Sequence, residues 1–563
     1  MAKKNETFLH KILHRKLWLI STLLVGAFAM AFVVGAGAYL YYRHYRNPDR
    51  FLKWAQELNE QGDFDAAMDQ YERAIRHCRS GAQRIQVIHA MINALQGQDP
   101  QPLNEAVQHY RTITGLYDTI SRLQSADAPE TETMLDQQFR FAETIQAPWT
   151  WKQLETICER VLRLNEDHWK ARKYKLIAGV YPNPDNASLD HFNDLQEKFD
   201  EIRKEHPDDP DLQYYAAMLM GRQAHYLNKE YLRPQQSKLF EDALELLNAR
   251  IKVQPEAVRA RVGKIQILLD RARQSEENNT IKTAINKALD LAAQSYITND
   301  PDQALRLVNY LEASRNILQI GAFEQKNESS EEDDENSLMQ RVTEHRQDLV
   351  DKLCNKYPHN INGVLKKARI MREKNQLQEA VKLLSQAMTE RKMKPTVEAL
   401  IAWTNRMQAR FVLMDARLEL YEQVADPDKQ QELITTVEKE LGKLRDIVQE
   451  ENPYIQIIEG RLAYINEDYR KAVNKFEQAE SALGRSTPES LLYSGLGLAQ
   501  LGETGAAVQQ LSKYLSLRNS TPKRRSMALR QLAFCAVQLR NFRQAVAVGR
   551  KLLQEDPNNI EAP

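Results

Sequence analysis

The sequence predicts an all-α protein in which a single N-terminal transmembrane helix is followed by a superhelix of αα-hairpin repeats. Three observations support this fold class. The 563 residues include only 20 Gly and 20 Pro, whereas strong helix formers are plentiful. A long apolar run lies near the N-terminus. Beyond it the chain is polar, repeats a helical pattern of small and large residues, and exceeds the length that one hydrophobic core usually holds.

The charge balance and the cysteines exclude two classes of function. The 77 Lys and Arg residues are matched by 77 Asp and Glu residues, so the formal net charge is zero. Because nucleic-acid-binding domains normally carry a basic excess, we expect no nucleic-acid partner. The cysteines lie far apart, without metal-ligand spacing, and we interpret them as small core residues; they are Cys78, Cys158, Cys354 and Cys535.

The first two elements are a basic tail over residues 1–16 and a transmembrane helix over residues 17–42. The second of these segments contains no Asp, Glu, Lys, Arg or His. At about 1.5 Å per residue it exceeds the roughly 30 Å hydrocarbon core of a bilayer. Trp18 and Tyr39 lie near its two ends, where aromatic rings favour the membrane interface. The segment therefore predicts an anchor that contacts the membrane directly.

Two alternatives for this anchor stay open from the sequence alone. Ala36-Gly37-Ala38 has the composition of a signal-peptide cleavage site. However, the apolar part of a signal peptide usually spans only about 7 to 15 residues. Ala27, Ala31 and Gly35 are spaced four apart and form one small-residue helix face, on which a second copy of the helix could pack. A homodimer through the membrane is thus an alternative to a single anchor.

The basic residues beside the anchor predict its orientation. Cytoplasmic flanks of membrane helices are enriched in Lys and Arg. The residues before the span are Lys3, Lys4, Lys11, Arg15 and Lys16, and those after it are Arg43, Arg46, Arg50 and Lys53. This small bias favours a cytoplasmic N-terminus. With few cysteines and no organelle signal, we expect a bacterial inner-membrane protein whose repeats lie on the periplasmic side.

Residues 43–326 are predicted to form an N-terminal helical array whose first repeat covers residues 50–80. Asn47-Pro48-Asp49 is typical of a helix start, because Pro suits the first turn and Asn or Asp can cap it. Two amphipathic helices then follow, joined by a turn at Gly62-Asp63. Their small and large positions are Ala55, Gly62, Ala67, Tyr71 and Ala74.

This series resembles the tetratricopeptide repeat family, whose unit is a helix-turn-helix of about 34 residues. Small residues let the two helices approach, and large residues fill the groove beside them. The series returns in a C-terminal array predicted over residues 341–563. Its members are Ala368, Ala380 and Ala387 in the second copy; Gly460, Ala472, Phe476 and Ala479 in the third; Gly495, Gly502 and Ala507 in the fourth; and Ala533, Ala545 and Pro557 in the fifth.

The middle of the chain is less regular. Between residues 80 and 340 the series is degenerate, so the number of repeats there is open. Residues 327–340 include the acidic run from Glu331 to Glu335. Such a segment buries little apolar surface, and we expect a solvated linker between the two arrays, with an acidic docking site as the alternative.

The sequence contains no constellation of catalytic residues. It has no phosphate-binding G-x-x-x-x-G-K-[ST] loop, no H-E-x-x-H and no G-x-S-x-G. We therefore expect neither a catalytic site, a cofactor nor a metal. The family resemblance implies a membrane-anchored scaffold that binds protein partners on the concave surface of its repeats. We expect it to serve the assembly or organisation of an envelope or secretion complex.

Three alternative functions stay open. They are a self-assembling structural tether, a protein similar to a mitochondrial import receptor, and an enzyme subunit with its site in residues 80–340. Repeats of the family that clamp a C-terminal carboxylate carry Asn just after the small residue of the first helix. That position holds Gln56, Arg369, Arg461, Leu496 and Phe534 here. The absence of this Asn argues against the import-receptor reading.

Overall fold

The computed structural model describes residues 24–41, 46–124, 128–181, 188–227, 232–275, 278–293, 299–324, 332–389, 392–445, 447, 452–517 and 522–555. Within these residues it contains 25 helices and two short strands. The chain divides into two compact units. The first unit comprises residues 1–183 and 391–400, and the second unit comprises residues 184–390 and 401–563.

The apolar segment near the N-terminus is helical where it is described. Helix α1, Leu24–Tyr41, has a mean hydropathy of 1.8 and is not buried inside the protein. Its 18 residues extend about 27 Å, so by length and composition it can cross a membrane. The predicted span begins earlier, and its first seven residues, 17–23, lie outside the described part of the chain.

The first unit continues as a row of helices joined by short connections. The bounds are α2 Pro48–Glu60, α3 Phe64–His77, α4 Gly81–Gly97, α5 Leu103–Leu123, α6 Pro129–Ile145, α7 Pro148–Leu164 and α8 Trp169–Gly179. Two-residue strands, β1 Gln101–Pro102 and β2 Lys392–Met393, pair antiparallel in this unit. From α2 to α7, each helix contacts the next one in the chain. Local signals set the helix starts: the side chain of Asn47 caps α2 and that of Asp63 caps α3.

The second unit contains the remaining helices. Their bounds are α9 Leu189–Glu205, α10 Pro210–Tyr226, α11 Arg233–Val253, α12 Val258–Gln274, α13 Asn278–Ala292, α14 Pro301–Glu324, α15 Glu332–Lys356, α16 Ile361–Glu373, α17 Leu377–Ala387, α18 Val397–Tyr421, α19 Pro427–Arg445, α20 Pro453–Ile465, α21 Tyr469–Leu483, α22 Pro488–Gln500, α23 Thr504–Ser516, α24 Pro522–Gln538 and α25 Phe542–Glu555. The residues of α18 up to Leu400 belong to the first unit.

Helices of the second unit stack as hairpins. Helix α20 contacts both its hairpin partner α21 and the first helix of the next hairpin, α22. Helix α22 repeats this relationship with α23 and α24, and α12 likewise contacts both α10 and α14. First helices of successive hairpins therefore form one layer. This arrangement confirms the predicted all-α, tetratricopeptide-like hairpin-repeat fold.

Five hairpins share one turn geometry. In each, the second residue after the end of the first helix has a positive φ: Gly62, Asn375, Glu467, Gly502 and Arg540. The next N–H donates to the carbonyl five residues earlier, which satisfies a free carbonyl of the helix end. The donor and acceptor residues are Asp63 and Leu58 (3.0 Å), Gln376 and Met371 (2.8 Å), Asp468 and Ala463 (2.9 Å), Glu503 and Leu498 (2.9 Å), and Asn541 and Ala536 (2.8 Å).

The division of the chain differs from the two arrays expected from the sequence. The compact units separate after residue 183, whereas the acidic segment 327–340 lies within the second unit. Residues 332–340 form the first turns of α15. Acidic residues stabilise the positive end of a helix dipole, so an acidic run can start a helix as well as form a linker. Residues 327–331 lie outside the described residues.

Candidate functional site

Small residues of the repeat pattern face large residues of the paired helix. A Cβ added to Gly460 on α20 would lie 2.9 Å from ring carbons of Phe476 on α21. A Cβ on Gly495 of α22 would lie 2.8 Å from Leu511 of α23. Both pairs are 16 residues apart, which is the distance from one helix across the turn to its partner. Each hairpin is therefore held by close approach at one small position.

The structure places the residues of the repeat pattern mainly in the core. The buried members are Ala55, Ala67, Tyr71, Ala74, Ala368, Ala380, Gly460, Ala472, Phe476, Ala479, Gly495, Ala507, Ala533 and Ala545. Ala387 is half-buried, and Gly62 and Gly502 are exposed at turns. Pro557 lies outside the described residues. On α1, Ala27, Ala31 and Gly35 are all exposed. The buried members of the pattern therefore contribute to the packing of the hairpins.

A network of charged side chains joins the first helices of the C-terminal hairpins. We call it the charged network; its members are Arg372, Asp415, Glu419, Glu422, Arg461, Glu489, Tyr493 and Arg524. They come from α16, α18 and the turn after it, α20, α22 and α24. None of them was expected as a site residue from the sequence.

Asp415 lies at the centre of the charged network. Its carboxylate accepts hydrogen bonds from Arg372 of α16 and from Arg461 of α20. Arg372 also binds Glu419, one turn further along α18, at 2.8 Å. Burial alone would raise the pKa of Asp415, but the two guanidinium groups outweigh burial and hold that pKa well below its usual range. Asp415 is therefore a carboxylate at neutral pH.

Arg461 is the most enclosed cation of the charged network, with 1% of its surface exposed. It donates to Glu422 at 2.6 Å and to the hydroxyl of Tyr493 at 3.2 Å. Its guanidinium also lies 4.8 Å from the centre of the Tyr493 ring. Tyr493 in turn donates to Glu422. These contacts connect the turn after α18 with α20 and α22.

Arg524 connects helices that are far apart in the chain. It reaches from α24 to Glu419 of α18 at 2.9 Å and lies 3.6 Å from Glu489 of α22. The adjacent Lys523 donates to the backbone carbonyl of Glu422 at 2.5 Å. Side chains of the array therefore occupy the space between its own first helices in this region, which leaves little room there for a peptide.

Three arginines face four carboxyl groups in the charged network. Burial, together with the nearby carboxylate of Asp415, raises the pKa of Glu489. Its surroundings therefore disfavour the charged form of Glu489 relative to the neutral form. Similar pairs continue toward α14: Lys366 binds Glu312 at 2.9 Å, and Arg346 binds Glu373 at 2.8 Å. These ion pairs join helices that are stacked beside one another.

A second feature is an apolar surface at the C-terminal hairpin, which we call the end face. Its members are Phe534, Val537, Phe542, Val546 and Leu553, on α24 and α25. Phe534 is 52% exposed and Phe542 is 61% exposed, unusual values for large apolar side chains grouped on adjacent helices. The sequence analysis names Phe534 only because it stands where repeats that clamp a C-terminal carboxylate carry Asn.

The cysteines of the described residues carry no activated thiol. Burial raises the pKa of Cys354 to about 11, and burial also raises the pKa of Cys158 and of Cys535. Their thiols therefore stay protonated at neutral pH, whereas a nucleophilic cysteine needs a lowered pKa. Within the part of the chain that the structure describes, no three His, Cys, Asp or Glu side chains are placed to hold a metal ion.

Residues 80–340 are the region in which the sequence leaves an enzyme site open. There, burial raises the pKa of Asp270 on α12, opposed by Arg273, Arg222 and His225. Asp270 accepts a hydrogen bond from Arg273 at 3.0 Å. Asp270 thus forms an ion pair with Arg273 within α12.

Comparison with known proteins gives structural likeness alone. No protein-family model matches the chain, and no curated protein matches it. The APC/C hetero-tetramer Cut9–Hcn1 is similar at 13% identity over 94% of this chain and 97% of that chain, with a TM-score of 0.34. Yeast Tom70 is similar at 12% identity over 90% of this chain and 93% of that chain, with a TM-score of 0.31. Naa15/Naa10 bound to HypK-THB is similar at 12% identity over 94% of this chain and 92% of that chain, with a TM-score of 0.27. At these TM-scores, none of them informs on the function of this chain.

Proposed function

We propose that the chain is a membrane-anchored, non-enzymatic scaffold that holds protein partners on its helical repeats. The observation that carries this proposal is the contrast within the second unit. Ion pairs of the charged network join its stacked helices, whereas the hairpin of α24 and α25 exposes the apolar end face. A rigid array with an exposed apolar surface has the properties of a binding platform.

Helix α1 supports the membrane part of the proposal. Its apolar side chains, such as Phe28 and Phe32, are about three-quarters exposed, and a bilayer would cover them. We place the N-terminus in the cytoplasm and the repeats on the periplasmic side of a bacterial inner membrane, on the basis of the basic residues that flank the span. The partners we expect are proteins of an envelope or secretion complex.

The charged network affects where a partner can bind. It occupies the layer of first helices from α16 to α24. Binding along that layer would require a partner to displace existing ion pairs. We therefore place partner contacts in the second unit on surfaces that the charged network leaves open.

In-cell crosslinking tests this function. The full chain, with an affinity tag, is crosslinked in living cells, its membranes are purified, and attached proteins are identified by mass spectrometry with their crosslinked sites. A reproducible set of other proteins attached to residues beyond 46 is the expected result. Recovery of the chain crosslinked only to itself would favour the self-assembling tether and contradict the scaffold.

A further inference from the structure

The end face corresponds to a surface that is covered in the preceding hairpin. The positive-φ turn residues Gly502 and Arg540 align the two hairpins at an offset of 38 residues. At this offset the counterparts of Phe534 and Val537 are Leu496 and Ala499. Leu496 is 5% exposed, compared with 52% for Phe534. The same positions are thus buried in one hairpin and exposed in the next.

Helix α24 is what covers the preceding hairpin. Its Cys535 packs in a cluster with Ala499 and Val508, and its Leu532 packs in a cluster with Leu496. Together with Ala528, these residues form a stripe at positions i, i+4 and i+7 of one helix. The end face, whose Val546 and Leu553 are counterparts of Val508 and Leu515, therefore has the pattern of a helix-docking surface.

The charge around the end face differs from that of the chain as a whole. Residues 522–555 contain a single acidic residue, Glu555. Their eight basic residues are Lys523, Arg524, Arg525, Arg530, Arg540, Arg543, Arg550 and Lys551. Of these, Arg524 belongs to the charged network, and Lys523 and Arg525 donate to the backbone carbonyls of Glu422 and Leu515. Arg543 and Arg550 are exposed and lie three and four residues from Val546 on α25. An apolar stripe flanked by exposed cations complements an apolar stripe flanked by carboxylates.

We propose that the end face binds an amphipathic helix of a partner protein, with apolar residues at i, i+4 and i+7 and acidic residues on its flanks. This inference rests on the proposed function and adds the chemistry of the partner. A helix is favoured over a flat anionic membrane because the equivalent surface of the preceding hairpin accommodates one helix. The membrane, a second copy of this chain and residues 556–563 are competing occupants that the test separates.

The probe is a fluorescent synthetic peptide that copies residues 522–538 with its four basic residues replaced by glutamate and Cys535 replaced by alanine. The control peptide keeps the native basic residues. Both are titrated against the full chain in lipid nanodiscs, and binding is read by fluorescence anisotropy. We expect the acidic peptide to bind at least about tenfold more tightly than the basic peptide, with a preference that shrinks as salt is raised.

Surface variants locate the binding. Phe534→Asp and Val546→Asp are expected to weaken binding of the acidic peptide by about tenfold or more, because they place a carboxylate on the apolar stripe. Val253→Asp is the matched control, since Val253 is 78% exposed on α11, a helix that packs against α10 and α12. Circular dichroism checks that each variant is folded. The double variant Arg543→Glu with Arg550→Glu keeps the apolar stripe and is expected to abolish the preference for the acidic peptide.

Several outcomes would overturn the inference. These are equal affinity for both peptides, no binding, binding unaffected by the end-face variants, and concentration-dependent dimers that Val546→Asp dissociates. Two others are capture of anionic vesicles by the detergent-solubilised chain with no peptide binding, and peptide binding that appears only after residues 556–563 are removed.

If crosslinked partners are found elsewhere on the chain while the peptide fails to bind, the inference fails and the scaffold function stands. If no partner is crosslinked, the scaffold function itself fails.

Discussion

The ring of Phe476 lies against the backbone of Gly460, with two ring carbons 2.9 Å from the place that a Cβ on Gly460 would occupy. This contact brings α20 and α21 together and predicts the effect of a single methyl group. Gly460→Ala is expected to lower the free energy of unfolding by about 1 to 3 kcal/mol, because the buried ring must move. The urea midpoint of the full chain, and amide exchange in α20 and α21, measure this effect.

The control for this substitution is Gly442→Ala on α19. Gly442 is also helical, but an added Cβ there would meet nothing within 4 Å. Alanine is better than glycine in an exposed helix, so this variant is expected to gain about 0.5 to 1 kcal/mol. Equal effects of the two substitutions would show that the contact with Phe476 does not constrain position 460.

At the positive-φ position of the turns, replacing a side chain by glycine and replacing glycine by a side chain are expected to change stability in opposite directions. Glu467 has a φ of 61° and Gly502 has a φ of 79°, at the same position of neighbouring hairpins. A side chain in this left-handed region costs about 1 kcal/mol or more relative to glycine. We therefore expect Glu467→Gly to raise the urea midpoint and Gly502→Ala to lower it. Gly505→Ala, in helix α23, is the control; a fall in stability for Glu467→Gly would contradict the shared turn geometry.

The charged network predicts a large effect for one carboxylate. Asp415→Asn removes the negative charge between Arg372 and Arg461 and leaves both cations undercompensated in a mostly buried site. We expect a loss of about 3 kcal/mol in the free energy of unfolding, measured in urea, which does not screen ion pairs. Asp348→Asn is the control, because the pair of Asp348 with Lys352 is exposed on both sides and is expected to contribute almost nothing.

The same network predicts a pH dependence with two opposite signs. The lowered pKa of Asp415 stabilises the fold above the unfolded-state pKa of about 3.9, and this stabilisation is lost as the pH falls through the lower folded-state pKa. Glu489 has a raised pKa, so its contribution is present at low pH and is lost as the pH rises through its folded-state pKa.

Glu489→Gln isolates the second contribution. The variant and the parent chain are expected to differ least in thermal midpoint at about pH 3, below the unfolded-state glutamate pKa of about 4.3. The variant should become the more stable of the two as the pH rises from there to 8. A difference that stays constant with pH, or that favours the parent at pH 8, would show that the surroundings of Glu489 do not raise its pKa.

Removal of the anchor is expected to leave the repeats folded and soluble. A chain without residues 1–45 should leave carbonate-washed membranes and appear in the soluble fraction, because α1 carries the only candidate span among the described residues. It should keep its helical circular dichroism, since α1 is not packed into the body of the protein. Retention in the washed membranes, or loss of the helical signal, would contradict this boundary.

The residues of the hairpins could be predicted from the sequence because their signals are local. Gly460 and Phe476 are one hairpin apart, and small and large residues at that spacing mark the fold. Arg461, beside Gly460, could not be placed in the same way. Its partners Asp415 and Glu422 lie 46 and 39 residues earlier, at distances that the repeat period does not encode.

The sequence pattern also could not predict which large apolar side chains are exposed. Leu496 and Phe534 occupy equivalent positions of adjacent hairpins, and only the structure shows that Leu496 is buried beside α24 whereas Phe534 is half-exposed. The acidic residues from Glu332 to Glu335 illustrate a related limit. Their composition suits a solvated linker and equally suits the N-terminal turn of α15, since both environments favour carboxylates.

The most direct test of the scaffold is site-specific photo-crosslinking in living cells. A benzophenone amino acid is placed at Val546 on the end face or at Val253 on α11, in the full chain, and the irradiated membranes are analysed by mass spectrometry. We predict that Val546 crosslinks to another protein, within an acidic amphipathic helix, and that Val253 does not. Crosslinks from Val546 to lipid or to a second copy of this chain, or none at all, would contradict the account.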